Sequence, residues 1–297
     1  MIENRSLGDR VVMALFYLAL TFAALVCLLP MVHLLAVSFS SRAASTGNLV
    51  TLWPIGFTAG SYQLVFSSPA FMRAMWVSFQ RVILGTGLNV AFIALTAYPL
   101  SRQPKEFFGR DVLMWLLLFA MLFNGGLIPW YLNLVELGLR DNLWALVLPG
   151  VLPIWSVILT MNFFSGIPKE MDEAALIDGA SHWDLFFRIY LPMSTPVLAT
   201  VTLFAMVGHW NSWFDGMILI NKSDLVPLQT YMRRVIILSD LVAFMSRFEV
   251  DVTEFVNFSD RSLKAAQVFI ATVPILCAYP FLQRYFVHGI RLGAVKG

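Results

Sequence analysis

The chain has 297 residues, 59% of them hydrophobic and only 13% charged, and a mean hydropathy of +0.75. That is more apolar surface than one soluble core buries, so lipid must act as part of the solvent. The formal charge of +2 is near balance and no block of consecutive basic residues occurs, which excludes a polyanion-binding surface and leaves no expectation of nucleic acid.

Six runs are long and apolar enough to cross a hydrocarbon core, which takes roughly 20 helical residues. They are 11–37, 82–100, 112–135, 143–164, 193–214 and 265–283. The first lacks a small-residue cleavage site and continues past His33, so it reads as a retained span rather than a removed leader. The second is expected to begin near Phe71 and to tolerate Arg73 and Arg81, each snorkelling or pairing with a carboxylate. Gly125-Gly126 with Pro129, and Pro149-Gly150 with Pro153, interrupt the third and fourth runs. Lipid cannot satisfy the backbone groups such breaks release, so they should face protein or water. Cys27 and Cys277 lie within apolar runs, where a thiol acts as a small buried hydrophobe.

Six spans put both termini on one side. Arg5, Arg10, Arg102, Lys105, Arg110, Lys169, Arg188, Arg284, Arg291 and Lys296 outweigh Arg42 and Arg140 of the first two outer loops, a contrast that the basic residues of the long third loop weaken, and the termini are expected in the cytoplasm. The first outer loop, 38–69, carries Trp53 and Tyr62 and suits the membrane surface. The third, 221–264, holds six basic and six acidic residues and reads as a charged, solvated loop. With no repeat and no soluble-domain linker, residues 1–297 read as one all-α membrane domain with six transmembrane helices.

Catalytic chemistry finds no support. His33, His182, His209 and His288 fall in separate segments without metal-ligand spacing. Asp251 and Glu254 would need a defined cleft to act as acid and base, so a membrane-embedded enzyme that modifies a polysaccharide is the weaker alternative. No catalytic residue and no metal ligand is assigned. Asn257-Phe258-Ser259 matches a glycosylation acceptor only formally.

The most informative stretch is 165–192. Pro168 fits the first turn of a helix, Glu170, Asp172 and Glu173 place negative charge near its positive end, and Gly179 can end it in a left-handed conformation. The helix should span two to three turns. Ala174 and Ala175 leave it without bulk, so a partner's backbone can approach. Leu185, Phe186 and Ile189 stand at helical spacing to hold the next segment against the spans, and Pro192 opens the fifth.

Glu173-Ala174-Ala175, Gly179, Ile189 and Leu191-Pro192 stand at the spacing of the EAA loop of ABC-importer permeases. The resemblance extends over nearly the whole chain. It includes Ile167-Pro168-Lys169-Glu170, Ile177-Asp178-Gly179-Ala180, the Asn124-to-Pro129 and Leu225-to-Gln229 segments, and the ending from Tyr279 to Gly297, as in permeases for carbohydrates. It implies the type I importer (MetI-like) architecture, with Glu173, Ala174, Ala175, Asp178, Gly179 and Ala180 on a coupling helix seated in an ATPase. It also implies a second, different permease, two ATPase copies that bind the ATP and Mg, and an extracytoplasmic binding protein.

This chain has no phosphate loop and is expected to carry no cofactor. The expected setting is the bacterial plasma membrane and the expected cargo an oligo- or polysaccharide, alginate being one acidic example. For the cargo path, Asn124, Trp210, Asn211, Trp213 and Asp215 offer polar and aromatic groups at membrane depth. Interhelical hydrogen bonding explains them equally well. Arg73 and Arg81 are read as structural in preference to attracting an anionic saccharide. Gly289, Gly293 and Gly297 suggest a conformable strand at the ATPase interface.

Overall fold

The computed structural model describes residues 7–245 and 261–293, excepting the side chains of 7, 238–245, 279 and 281–293. The fold is all-α, in two compact units: 1–69 with 234–273, and 70–233 with 274–297. Glu249, Asp251, Glu254, Asn257 and Gly297 lie outside the described residues.

In the first unit, α1 (Leu7–Ser38) is apolar all round, and Phe16, Leu20 and Leu25 are exposed along it. A helix hydrophobic on every face needs lipid or another protein around it. Its C-terminal end packs: Ala36 and Val37 close on Ala44 and Val50, and on Ala265 of α14 (Arg261–Gly293). The short helices α2 (Arg42–Thr46) and α3 (Gly60–Ser67) follow α1. Phe39 stacks on Phe57 and Tyr62, and the Tyr62 hydroxyl lies 2.8 Å from the Ser38 hydroxyl. Burial raises the pKa of Tyr62, with the Ser38 hydrogen bond acting in the opposite direction.

The second unit is organised by α4 (Pro69–Ser101). Its buried positions recur every three or four residues, from Phe71 and Ala74 through Ile93 and Ala97 to Leu100, so one stripe of the helix faces the interior. Around it lie α5 (Arg110–Leu122), α6 (Leu127–Glu136), two 3-10 turns (Leu143–Leu146 and Leu148–Gly150), α7 (Ile154–Ser165), α8 (Lys169–Ile177), α9 (His182–Asp184), a π-helical turn (Leu185–Tyr190), α10 (Leu191–Met193), α11 (Thr195–Asn211) and α12 (Phe214–Leu219). Ile93, Ala97, Leu100, Leu117, Val157, Met161, Phe164 and Val201 form the main core.

Three described helices, Gly8–Ser38, Pro69–Ser101 and Arg261–Ala278, are long and apolar enough to cross a membrane. Three bent pairs raise the number to six if each is one span: α5 with α6 at 114°, the 3-10 segment with α7 at 49°, and α9–α10 with α11 at 79°. The first two bends fall at the glycine and proline breaks expected from sequence. The third, at Ser194, corrects the expectation of an unbroken run over 193–214, as does the end of α11 at Asn211.

The 221–264 segment is also corrected. It contains α13 (Leu228–Met245), on which Leu228, Met232 and Val235 are buried at helical spacing. Cys27 and Cys277 are exposed on the chain's own surface rather than buried. Gly289 and Gly293 belong to α14, a helix and not a strand. At the α6 end of the second unit, Asp141 accepts from the backbone N–H groups of Asn221 and Lys222, which hold its carboxyl below the usual carboxylate range.

Candidate functional site: a capped loop helix and a polar cavity

The loop 165–192 folds as helix, turn, helix. α8 runs nine residues, with Pro168 at its N-cap rather than inside the first turn, and Glu170 and Asp172 near the positive end of its dipole. Its C-terminus is a Schellman motif: Gly179 N–H donates to the Leu176 carbonyl at 3.1 Å and Ala180 N–H to the Ala175 carbonyl at 2.9 Å. Gly179 has φ +81°, a left-handed conformation that glycine adopts without steric cost. Ser181 and Asp184 form a reciprocal capping box that starts the next helical segment.

Leu185 and Phe186 are buried and Ile189 packs on the core. The following turn widens to π geometry just before Pro192, which has no N–H to donate. Outward from this scaffold, Glu173, Ala174, Asp178 and Gly179 are exposed, while Ala175 and Ala180 are partly covered. Ile177 is 86% exposed, with Leu176, Trp183 and Phe187 also exposed on the loop.

Behind α8, Asp172 turns inward. It pairs with Arg102 and accepts a 2.8 Å hydrogen bond from the Tyr190 hydroxyl. Sequence reading gave Asp172 a helix-dipole role and Arg102 only a topological one. Neither was expected to be buried.

Deeper in the same unit lies a cavity of about 410 Å³ lined by residues including Arg81, Asn89, Trp130, Phe204, His209 and Asp215. Arg81 and Asn89 reach it from one stripe of α4, and Ser156, His209, Ser212 and Asp215 from α7, α11 and the start of α12. Ser78 Oγ accepts from Leu228 N–H at 2.8 Å. Arg81 donates to both oxygens of Asp215 and, at 3.2 Å, to the Ser212 carbonyl at the end of α11. Asp215 in turn accepts from Ser212 Oγ and the Gly216 N–H.

Asn89 Nδ2 donates to the Gly150 and Val151 carbonyls at 2.7 and 2.9 Å, at the break before α7. Its Oδ1 is left facing His209 Nε2 at 2.7 Å, so that nitrogen carries the proton. Gly85, between Arg81 and Asn89 on the stripe, admits the His209 ring where a Cβ would collide with it. The stripe thus supplies the hydrogen bonds that broken helices lose.

Of the five residues expected on the cargo path, only Asp215 reaches this cavity. Trp210 is buried against Phe79 on an apolar pocket of α4, α11 and α14. Trp213 lies under Arg233, and its carbonyl accepts from Thr230. Asn124 accepts from Gly126 N–H in the α5–α6 turn and borders a separate open groove. Asn211 is exposed at the end of α11. The structure does not gather these five into one site.

Arg73 and Arg81 both pair with carboxylates, Asp224 and Asp215 respectively. Asn89 and His209 were missed as a pair because 120 residues separate them. The one signal available was the recurrence of Ser78, Arg81, Gly85 and Asn89 at helical spacing.

Residues 111–292 match the family model described as the binding-protein-dependent transport system inner membrane component. Protein LplC of Bacillus subtilis is 41% identical over 92% of this chain and 90% of that protein. The polygalacturonan/rhamnogalacturonan transport system permease YtcP of the same organism is 36% identical over 97% and 99%. A crystal structure of a bacterial ABC transporter involved in the import of the acidic polysaccharide alginate contains a chain that superposes with a TM-score of 0.83. Sequence identity with it is 28%, over 95% of this chain and 99% of that one. Membership of a transport family supports a role without catalysis. With the family model covering more than half of its length, the chain belongs to the binding-protein-dependent transport system inner membrane components.

Proposed function

We propose that this chain is the membrane-embedded subunit of an ATP-driven importer for an acidic oligo- or polysaccharide, with six spans and cytoplasmic termini in the bacterial plasma membrane. Glu173, Ala174, Ala175, Asp178, Gly179 and Ala180 contact a separate ATPase. The observation that carries the reading is the loop 165–192. It presents a short helix that ends on the exposed Ile177, is closed by the left-handed Gly179 and is followed by the exposed Trp183 and Phe187, on a buried Leu185–Phe186 footing. Exposed apolar side chains of this size call for a protein or membrane partner.

The assembly contains a second, different permease, two ATPase copies that hold the ATP and Mg, and an extracytoplasmic binding protein. The acidic cargo class is supported by the polygalacturonan/rhamnogalacturonan and alginate transporters among the similar proteins. Asp215, with Arg81 and His209, lines the cavity offered as part of the cargo path. Asn124, Trp210, Asn211 and Trp213 are less suited to it.

The test is reconstitution in liposomes with the neighbouring permease, ATPase and binding protein, supplied with alginate oligosaccharide or oligogalacturonate. Wild type should show saccharide-stimulated ATP hydrolysis and ATP-dependent uptake. Gly179→Asp should lose both while still reaching the membrane. Normal transport by that variant would sink the coupling assignment, and stimulation by neutral sugars alone would sink the acidic cargo.

A further inference from the structure

α8 is nearly free of the rest of the unit. Its residues are exposed or half-buried except Asp172, the one buried residue of the helix. The chain is anchored before α8 by Ile167 and after it by Leu185, both buried, with Pro168 and Gly179 at the two junctions. A helix held only at its ends can pivot about them. Among the described residues Asp172 is the side chain of α8 that forms an ion pair with the rest of the unit, and this strut lands on Arg102, one residue beyond the C-terminus of α4.

Arg102 is held on several sides. Its guanidinium carbon lies 4.5 Å from the Tyr98 ring centroid and 4.7 Å from that of Tyr190. It donates to the Tyr98 hydroxyl at 2.6 Å, and Tyr98 donates to the His182 carbonyl at 3.2 Å. Tyr190 donates to the same Asp172 oxygen that Arg102 engages. The Arg102 and Asp172 side chains are 12% and 11% exposed, so water screens the pair weakly. Tyr98 and Tyr190 themselves meet edge to face, and a planar guanidinium packed against both rings fixes orientation as well as charge, which an ammonium would not do.

Resting on the reading of 165–192 as the ATPase-facing loop, we propose that Arg102 is a positioning residue that makes α8 and the C-terminal end of α4 move as one body. Displacement imposed on α8 is then delivered to α4, whose stripe of Ser78, Arg81 and Asn89 holds the broken segments. Without the strut, α8 yields at its ends and ATP is hydrolysed with little transport.

The complete complex in proteoliposomes tests this, with oligogalacturonate and alginate oligosaccharide as probes. Asp172→Asn removes the charge but keeps an acceptor for Tyr190. Arg102→Lys keeps the charge and loses the planar contact. Both should retain the ATPase on purification and hydrolyse ATP, while uptake per ATP falls by about twofold to thirtyfold, the range over which residues along a coupling route act. Tyr190→Phe should lie between them and wild type.

Spin labels at Glu170→Cys and Gln103→Cys, with Cys27 and Cys277 replaced by Ala, should give one narrow distance through the nucleotide cycle. Asp172→Asn should broaden it. Unchanged uptake per ATP, an unbroadened distance, or loss of the ATPase from the purified complex would each overturn the proposal. If Gly179→Asp is inactive while the Arg102 and Asp172 variants transport normally, only the strut fails. If Gly179→Asp also transports normally, the loop reading fails with it.

Discussion

The loop 165–192 and the polar cavity beside α4 are both built to hold polar groups in fixed places, yet they are encoded in opposite ways. In the loop, cap, helix and stop lie within 28 consecutive residues, and the hydrogen bonds that define it join near neighbours in sequence. In the cavity, Arg81 meets Asp215 across 134 residues and Asn89 meets Gly150 across 61. A surface helix carries its own boundary conditions. A helix broken at membrane depth must borrow partners from another segment.

That contrast predicts which lesions spread. The largest effect should come from Arg81→Met, which strands the Asp215 carboxylate in a site where Arg81 is 3% exposed. Breaking a buried pair costs about 3–5 kcal/mol, and the double replacement Arg81→Met with Asp215→Leu should recover most of it. Thermal unfolding in detergent would show both. A single variant no less stable than wild type would mean the pair is solvated.

Next comes Asn89→Leu. It leaves the Gly150 and Val151 carbonyls without their donor, at about 1–3 kcal/mol for each group left unmet. Hydrogen exchange at the 143–165 break should accelerate if Asn89 is the splint and stay unchanged if it is not.

Gly179→Ala should be milder in stability, about 1–2 kcal/mol for an L residue forced into the left-handed region. Nothing lies within 4 Å of an added Cβ, so strain alone acts there. The loss should stay local to α8 and leave the global unfolding midpoint nearly in place, in contrast to Arg81→Met. A large global shift would erase the distinction between the two regions.

The smallest effect is a pH dependence at Asp141. Its carboxyl is held below the ordinary value by the Asn221 and Lys222 N–H groups. Its contribution is therefore fully present above the unfolded carboxylate pKa of about 3.9 and is lost as pH falls through the lowered folded value. Asp141→Asn should abolish only that acid limb of the stability profile. An unchanged profile would show that the limb belongs to other carboxylates.

Much of the loop was legible because its signals are local. Gly179 ends α8 as its type and place foretold, and Leu185 and Phe186 face inward. Asp172 escaped because a carboxylate in a first helical turn already has a sufficient local reason to be there. Its burial depends on Arg102 and Tyr190, 70 and 18 residues away. α13 escaped because its charges masked the Leu228, Met232 and Val235 stripe.

By itself the sequence determined the apolar segments, the breaks at Gly126 and Pro153, and the short loop helix with its stop at Gly179. These follow from hydropathy and from backbone chemistry that operates within a few residues. Only the tertiary structure decided that Arg81 splints the end of α11, that Asn89 serves the break before α7, and that Asp172 binds α8 to the end of α4. Desolvated polar groups must find partners wherever the fold brings them, and spacing along the chain carries no record of that choice.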